Sequence, residues 1–215
     1  MQKMDSNSRG KLIVVSGFSG AGKGTVVKAI TAKYDNYALS ISATTRAPRE
    51  GEEEGKAYFF KTKEEFEEMI ANNQLVEYAS YVGNYYGTPR AYVEEMLQKG
   101  KDVILEIEIQ GASKIKNMFP EALLIFMTPP SAKELINRLN GRGTEDKQTI
   151  LNRMKRAIEE SEGVDKYDFL LINDEVDKCV EMLHNIVNEK HTDKTIDTKL
   201  IENIKAELAE IVEGE

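Results

Sequence analysis

The chain has 215 residues, of which 40% are hydrophobic and 31% are charged, and its formal net charge is −8 at pH 7. This length and composition are typical of one globular α/β domain with insertions that buries a full core. The negative charge opposes a nonspecific phosphate-backbone footprint, so we expect no nucleic-acid partner.

The cysteine and histidine content excludes other classes of site. The single Cys179 has no partner for an internal disulfide and falls in a helical pattern, so we expect a buried structural thiol. His184 and His191 have no partners at metal-ligand spacing, so no zinc site is predicted. We find neither an apolar stretch of membrane-spanning length nor a signal-peptide pattern, and we expect a cytoplasmic protein with no membrane partner.

Short apolar runs alternate with stretches of helical spacing along the chain. The runs of strand length are Leu12–Val15, Ala38–Ile41, Val103–Ile109, Leu123–Met127 and Phe169–Ile172. Helical spacing is found at Val26–Lys33, Ala112–Met118, Ala132–Leu139, Ile150–Ser161 and Val176–Val187. This alternation predicts an α/β fold in which a parallel sheet has helices on both faces and binds ligands at the carboxyl ends of its strands.

The first strand leads into the most specific early motif, Leu12–Thr25, which reads LIVVSGFSGAGKGT. Glycines let the backbone curl so that successive N–H groups converge on phosphate oxygens, and the following helix adds its positive end. Lys23 can then reach the β- and γ-phosphates of a nucleoside triphosphate. The residues that we expect to bind it here are Gly17, Ser19, Gly20, Ala21, Gly22, Lys23, Gly24 and Thr25.

This phosphate-binding loop departs from the usual pattern at one position. Gly24 stands where Ser or Thr is usual, and the hydroxyl comes one residue later, at Thr25. We therefore expect no direct protein ligand to Mg²⁺, which phosphates and water would mainly hold. The alternative, an ordinary glycine-rich turn with an exposed lysine, is disfavoured by the strand and helix that flank the motif.

The interval from Arg46 to Lys99 breaks the alternation of strands and helices. It contains two amphipathic helical patterns, Lys63–Ala71 and Pro89–Lys99, and a hairpin signal around Gly83-Asn84. We interpret it as an inserted lobe. Farther on, the polar segment Asn140–Asp146 joins two helices and is typical of a lid.

The C-terminal stretch Lys199–Val212 has Leu200, Ile204, Leu208 and Ile211 at helical spacing. We expect a final helix that packs on the body of the protein or on another subunit.

Two motifs of the inserted lobe make a family resemblance specific. They read SATTRAPREGEEEGKAYFF from Ser42 and VEYASYVGNYYGT from Val76 to Thr88. With the phosphate-binding loop, they resemble the guanylate kinases, ATP:GMP phosphotransferases, over roughly residues 11–190. The resemblance implies a P-loop core at 11–45 and 100–190, an inserted α/β GMP-binding lobe at 46–99 and a short lid at about 138–153. Residues 1–10 are then a disordered N-terminus, and 191–215 form a helical extension.

Four side chains of the lobe suit a monophosphate. Arg46 and Arg49 lie three residues apart, and two guanidinium groups can clamp a phosphate bidentately. Tyr58 and Tyr86 can donate hydroxyls to the same group. An isolated arginine pair is more often a solvated surface charge, but the resemblance assigns all four residues to the phosphate of GMP.

Guanine offers two neighbouring N–H donors, which one carboxylate can accept, and an O6 that a hydroxyl can reach. The resemblance assigns Glu77 to this edge, with Ser42 and Thr88 as hydroxyl partners. Glu106 and Glu108 alternate along the predicted strand Val103–Ile109 and are expected on one face of it. By resemblance, Glu108 contacts the guanine amino group and Glu106 faces the nucleotide and metal region, although relatives often carry Asp at both positions.

Three arginines bracket the predicted lid. By resemblance, Arg138 and Arg153 approach the phosphates, Arg142 also stacks on adenine, and Asn173 contacts the adenine edge. Positive groups around a transferring phosphoryl group supply most of its catalysis. With Lys23 and Arg46, these arginines form the expected catalytic set.

The reaction implied by the resemblance is transfer of the γ-phosphoryl group of ATP to GMP or dGMP, giving ADP and GDP or dGDP, with Mg²⁺ and without a covalent enzyme intermediate. Two alternatives stay open. One is a catalytically silent, protein-binding module of guanylate-kinase type, which generally lacks the phosphate-binding loop that is present here. The other is a related small phosphokinase with a different acceptor. The sequence does not predict whether the protein is a monomer or a homo-oligomer.

Overall fold

The computed structural model describes residues 9–81, 83–140, 147–189 and 198–214. Its strands are β1 (Leu12–Gly17), β2 (Tyr37–Leu39), β3 (Ala43–Thr44), β4 (Phe59–Phe60), β5 (Leu75–Tyr81), β6 (Asn84–Pro89), β7 (Asp102–Glu106), β8 (Leu123–Thr128) and β9 (Phe169–Ile172). Its helices are α1 (Lys23–Lys33), α2 (Lys63–Ala71), α3 (Arg90–Gln98), α4 (Ile109–Met118), α5 (Ala132–Asn140), α6 (Lys147–Glu160), α7 (Val176–Val187) and α8 (Thr198–Glu213). Among the described residues, no helix combines the length and apolar character that crossing a membrane requires.

The predicted parallel sheet is confirmed. Five strands have the order β2-β7-β1-β8-β9. β2 runs parallel to β7, with Tyr37 opposite Asp102, and β8 runs parallel to β9, with Ile125 opposite Phe169. All of β1 and nearly all of β8 are buried, because a strand of this kind has helices above and below it.

A second sheet has the strand order β4-β3-β6-β5. Its β5 and β6 form the antiparallel hairpin that the sequence predicts, and their register places Glu77 opposite Thr88. On this sheet α2 buries Phe66 against Ala43 and Leu75. The start of α2 is fixed by a capping box between Thr62 and Glu65, so this helix has the bounds that the sequence predicts.

The chain divides into two compact units. The first comprises residues 9–13, 34–105 and 110–122 of the described chain and holds the four-stranded sheet with β2, α2, α3, most of β7 and nearly all of α4. The second comprises 14–33, 106–109 and the described residues from 123 onward, with α1, β8, β9 and α5 to α8. The predicted division into core, GMP-binding lobe and lid stays a prediction, and residues 141–146 of the predicted lid lie outside the described residues.

Within the second unit the C-terminal helix packs on the body, as one of the two sequence interpretations predicts. α8 lies against α5 and α6, and its residues Ile201, Ile204 and Leu208 are buried. In the same unit α1 packs on α7, which buries Cys179 as expected.

One predicted strand is too long. β7 ends at Glu106, and α4 begins at Ile109, three residues before the predicted helix. The strand prediction for Val103–Ile109 followed an apolar run that continues to Ile109, but the strand ends at Glu106. Glu106 and Glu108 therefore do not share one face of a strand, and the expectation based on that geometry is wrong.

Candidate active site

The phosphate-binding loop joins β1 to α1 inside the second unit, and Lys23 is the first residue of the helix. The loop begins at Gly17, where φ is 147° and a Cβ atom would lie 2.0 Å from the Met127 carbonyl oxygen, so only glycine fits. A cavity of about 520 Å³ opens over the loop. Its lining residues are Ser19, Gly20, Gly22, Lys23, Gly24, Thr25, Lys28 and Glu106. Six of the eight residues predicted to bind the triphosphate line this cavity, whereas Gly17 and Ala21 do not. Lys28 also lines it, and sequence reasoning missed this residue.

Lys23 is held over the loop by its own backbone. Its Nζ donates to the carbonyl oxygens of Gly17, at 2.7 Å, and Phe18, at 3.0 Å. Burial lowers the pKa of this ammonium group from its ordinary value, and three neighbouring carboxylates oppose that shift. In decreasing order of effect they belong to Glu160, Glu106 and Glu108.

Glu106 ends β7 at the wall of this cavity. Burial raises the pKa of its carboxyl group, and the charges of Lys23 and Lys28 oppose the shift. A Cβ atom at Gly24 would lie 3.5 Å from the Glu106 carboxylate, so this carboxylate reaches the loop at the position where a hydroxyl is usual. Among the described residues, no three His, Cys, Asp or Glu side chains form a group that could hold a metal ion.

Arg138 and Asn173 converge on the backbone of the loop. Arg138 is paired with Glu134 at 2.8 Å and donates to the carbonyl oxygens of Asn173, at 2.9 Å, and Ala21, at 3.4 Å. The side-chain amide of Asn173 donates to the same Ala21 oxygen at 2.8 Å, while its Oδ1 is buried without a hydrogen-bond partner in the described part of the chain. The structure therefore places both residues as supports of the loop, and their contacts to phosphate and adenine stay predictions.

The remaining predicted arginines lie on or before α6. Arg153 is partly buried on this helix. Arg142 lies outside the described residues. Two residues that sequence reasoning missed follow on α6: Glu160 accepts a hydrogen bond from the Ser19 N–H, and Arg156 pairs with Glu108 and Glu160.

A sequence signal for these two residues was available. Positions 153, 156 and 160 recur every three or four residues beside Ala157, which is fully buried, so they occupy the inward side of an amphipathic helix. Charged residues on that side require partners, whereas the charges on the outer side are solvated.

In the first unit, Glu77 and Thr88 form a buried pair between β5 and β6. The Thr88 hydroxyl donates to Glu77 Oε1 at 2.7 Å. Only 8% of Glu77 is exposed, and Thr88 is fully buried. Because a hydroxyl has one hydrogen, Thr88 in this arrangement orients the carboxylate and does not donate to a base. Ser42, the other predicted hydroxyl partner of guanine, lies partly buried just before β3.

Arg46 forms a cluster with two tyrosines. Its guanidinium lies 5.3 Å from the centre of the Tyr58 ring, and the rings of Tyr58 and Tyr86 are 6.0 Å apart, edge to face. Three of the four predicted phosphate residues are therefore brought together, and burial raises the pKa of the Tyr58 hydroxyl.

Glu52, which the sequence reading missed, organises both arginines of the predicted phosphate clamp. Its Oε1 accepts from Arg46 at 2.8 Å, and its Oε2 accepts from the Arg49 N–H at 2.8 Å. The hydrogen bond from Arg46 lowers the pKa of the Glu52 carboxyl group. The Arg49 side chain itself is exposed.

The comparisons with known proteins agree with one another. The family model described as guanylate kinase matches residues 9–190. The guanylate kinase of Bacillus subtilis (strain 168) is 56% identical over 184 residues, which are 85% of this chain and 90% of that protein. The guanylate kinase of Streptococcus thermophilus (strain CNRZ 1066) is 52% identical over 86% of this chain and 89% of its own length.

A solved structure extends the likeness to the fold. The crystal structure of guanylate kinase from Anaplasma phagocytophilum matches with a TM-score of 0.69 and 31% identity, over 90% of this chain and 94% of that one. The sequence, the phosphate-binding loop and the α/β architecture agree with these comparisons. The chain belongs to the guanylate kinase family.

Proposed function

We propose that this protein transfers the γ-phosphoryl group of ATP to GMP or dGMP. An oxygen of the GMP phosphate forms a bond to the γ-phosphorus, the bond from that phosphorus to the β-phosphate oxygen breaks, and ADP and GDP or dGDP result. The observation that carries the proposal is the intact phosphate-binding loop with Lys23 at its cavity, in a member of this family. A protein-binding module of the same fold does not need the positive charge of Lys23 in such a cavity.

On the ATP side, the loop N–H groups and Lys23 would hold the phosphates. Arg138 and Asn173 support the loop through Ala21, and Arg153 and Arg142 supply further positive charge as transfer proceeds. Here the protein positions the reacting groups and neutralises their charge, and it forms no covalent intermediate.

Mg²⁺ belongs to the same proposal. The Glu106 carboxylate and the Thr25 hydroxyl are hard oxygen donors that line the cavity, and they suit an ion that keeps much of its water. When bound with ATP, this ion would neutralise phosphate charge. Glu106 and Thr25 would orient its water ligands.

On the GMP side, we assign the phosphate to Arg46, Arg49, Tyr58 and Tyr86. The Glu52 carboxylate holds Arg46 in place. We assign the guanine edge to Glu77, which is oriented by Thr88, and O6 to Ser42. We also assign the guanine amino group to Glu108, whose carboxylate is paired with Arg156 in the structure.

The cellular location and the binding partners expected from the sequence stay predictions. We expect the protein in the cytoplasm, and we expect it to bind the two nucleotides and neither nucleic acid nor a membrane.

The decisive experiment measures kcat/KM for GMP, dGMP and AMP in the wild type and in Glu77→Gln. Adenine has an acceptor at N1 and lacks the N2 amino group, so we expect GMP and dGMP to be preferred by about 10³-fold or more. Glu77→Gln should erode this preference, because an amide cannot accept both guanine donors. Glu68→Gln, an exposed glutamate on α2, is the matched control.

Two results would count against these assignments. Equal use of GMP and AMP by the wild type would remove the proposed acceptor. A folded Glu77→Gln protein with full preference for GMP would show that Glu77 does not read the base.

A further inference from the structure

Glu160 is the last residue of α6, and both of its carboxylate oxygens are engaged. One accepts the Ser19 backbone N–H at 2.7 Å, and the other lies 3.4 Å from Nε of Arg156. Its side chain is 17% exposed. A carboxylate in such a place is costly unless its partners satisfy it, and these two do.

Ser19 lies in the glycine-rich part of the phosphate-binding loop. Gly17 and Gly20 flank it with φ values of 147° and 95°, and Gly22 follows with 86°. Three glycines in six residues give the unconstrained backbone many alternative conformations. A charge-assisted hydrogen bond from outside the loop selects one of them.

Glu160 is also part of a longer chain of contacts within the second unit. Arg156 donates to Glu108 in the loop before α4, and it pairs with Glu160 one turn along α6. This chain ties three separate segments together: the segment after β7, the helix α6 and the loop that carries Lys23. Arg153 lies one turn before Arg156 on the same helix.

We propose that Glu160 is a positioning residue for phosphoryl transfer, which holds the first half of the phosphate-binding loop in its ATP-binding conformation through the Ser19 N–H, with Arg156 fixing its carboxylate. The inference rests on the proposed function for its kinetic consequence. Its structural consequence, the protection of one backbone amide, does not depend on that function.

The test compares Glu160→Ala and Glu160→Gln with the wild type. A hydrogen bond to a charged acceptor contributes about 1.5–3 kcal/mol, which corresponds to about 10- to 100-fold. We expect Glu160→Ala to lose that factor in kcat/KM for ATP. Glu160→Gln keeps an acceptor of the same shape without the charge, so it should fall between Glu160→Ala and the wild type. KM for GMP should stay within about two-fold, since the proposed GMP contacts of the first unit are untouched.

Glu159→Gln is the matched control, because Glu159 is the exposed neighbour on the same helix, and it should behave as the wild type. Hydrogen exchange at the Ser19 amide supplies a second readout. It should become faster in Glu160→Ala and stay slow in Glu159→Gln. Thermal melting curves establish that each variant is folded.

The proposal fails if Glu160→Ala keeps the wild-type KM for ATP and kcat, or if the Ser19 amide exchanges no faster. It also fails if ATP and GMP parameters decline together in proportion to lost thermal stability, which is the signature of a purely structural role. A wild type that does not phosphorylate GMP overturns the proposed function, and ATP affinity together with Ser19 exchange then decides the role of Glu160.

Discussion

Lys23 shows how much of the candidate site depends on one charge. It lies at the start of α1 beside the carbonyl oxygens of Gly17 and Phe18, in the cavity above the loop. Because negative charge develops and moves among phosphate oxygens during transfer, a fixed ammonium group lowers the barrier without reorganisation. Burial lowers the pKa of this ammonium group, and the carboxylates near Lys23 oppose that shift and favour its charged form.

Lys23→Met should therefore lower kcat by roughly 10³-fold or more, since it removes the charge and keeps most of the side-chain volume. Steady-state kinetics measure the loss, and melting curves check that the variant is folded. Lys33→Met is the control, because Lys33 lies on the same helix and pairs with Glu181 at the surface. Turnover near the wild-type rate in folded Lys23→Met would exclude this lysine from the reaction.

The same lysine predicts an alkaline limb in the pH profile. Its pKa in the folded protein is below the ordinary lysine value of 10.5, so kcat/KM for ATP should fall with rising pH before that value is reached. Glu160→Gln removes a charge that favours the ammonium group and should move the limb to lower pH. Arg156, the other charge facing Lys23, opposes the ammonium form and is unchanged in this variant.

Unfolding does not explain the loss of activity at high pH, because the contribution of Lys23 to the unfolding free energy changes in the opposite direction. Between the two pKa values the unfolded chain binds more protons at Lys23 than the folded chain, so the contribution of this group to the unfolding free energy rises with pH. Melting curves across the same pH range separate the two effects. An alkaline limb in Glu160→Gln that coincides with that of the wild type would contradict the assignment to Lys23.

Single residues also show where sequence reasoning stops. The loop from Gly17 to Thr25 could be predicted, because its chemistry is local: the spacing of glycines and lysine fixes the turn. Glu52 could not, although Arg46 and Arg49 lie only six and three positions away, because nothing in a loop sequence shows which of several neighbouring carboxylates binds them. For Glu160 the helix pattern indicates that the carboxylate needs a partner, but it does not identify Ser19, which lies 141 positions away in the sequence.

At the scale of elements, the predictions hold where periodicity and end signals coincide. The bounds of α2, α7 and β9 are those read from the sequence, and α2 has its capping box. The strand over Val103–Ile109 is wrong because its apolar alternation continues past the end of the sheet, and β propensity does not record where a neighbouring strand stops. The two-residue strands β3 and β4 are too short to produce a periodic signal.

The C-terminal helix gives the prediction at this scale. α8 lies beyond residues 9–190, which the family model covers, and it buries Leu208 completely against its unit. Leu208→Ala should lower the unfolding free energy by about 2–5 kcal/mol through lost burial and a residual cavity. At a temperature where the variant is folded, kcat should be unchanged, because α8 carries no group assigned to either substrate.

Denaturant unfolding and steady-state kinetics measure these two quantities. Glu207→Ala, at the exposed position beside Leu208, is the control and should change stability by less than about 0.5 kcal/mol. A Leu208→Ala protein with wild-type stability and reduced kcat would show that α8 takes part in the chemistry.

At the scale of the whole molecule, most of the side chains that we assign to the two nucleotides fall into separate compact units. The first holds Arg46, Tyr58 and the Glu77–Thr88 pair, whereas the second holds the phosphate-binding loop with its supports. Changes at sites that share no partners usually act independently, within about 0.3–0.5 kcal/mol. The affinities for the two nucleotides, measured one at a time, should therefore respond to different substitutions.

Calorimetric titration of each nucleotide alone tests this independence. Lys23→Met should weaken ATP binding by about ten-fold or more and leave the Kd for GMP within about two-fold, and Glu77→Gln should do the reverse. Melting curves should show the same selective loss for each variant. A ligand at 100 times its Kd stabilises the folded state by about 2.7 kcal/mol, and a variant that no longer binds this ligand loses that stabilisation. If either substitution weakens both nucleotides equally, the two groups of residues do not act as separate sites, and the assignment of Lys23 to ATP and of Glu77 to GMP fails.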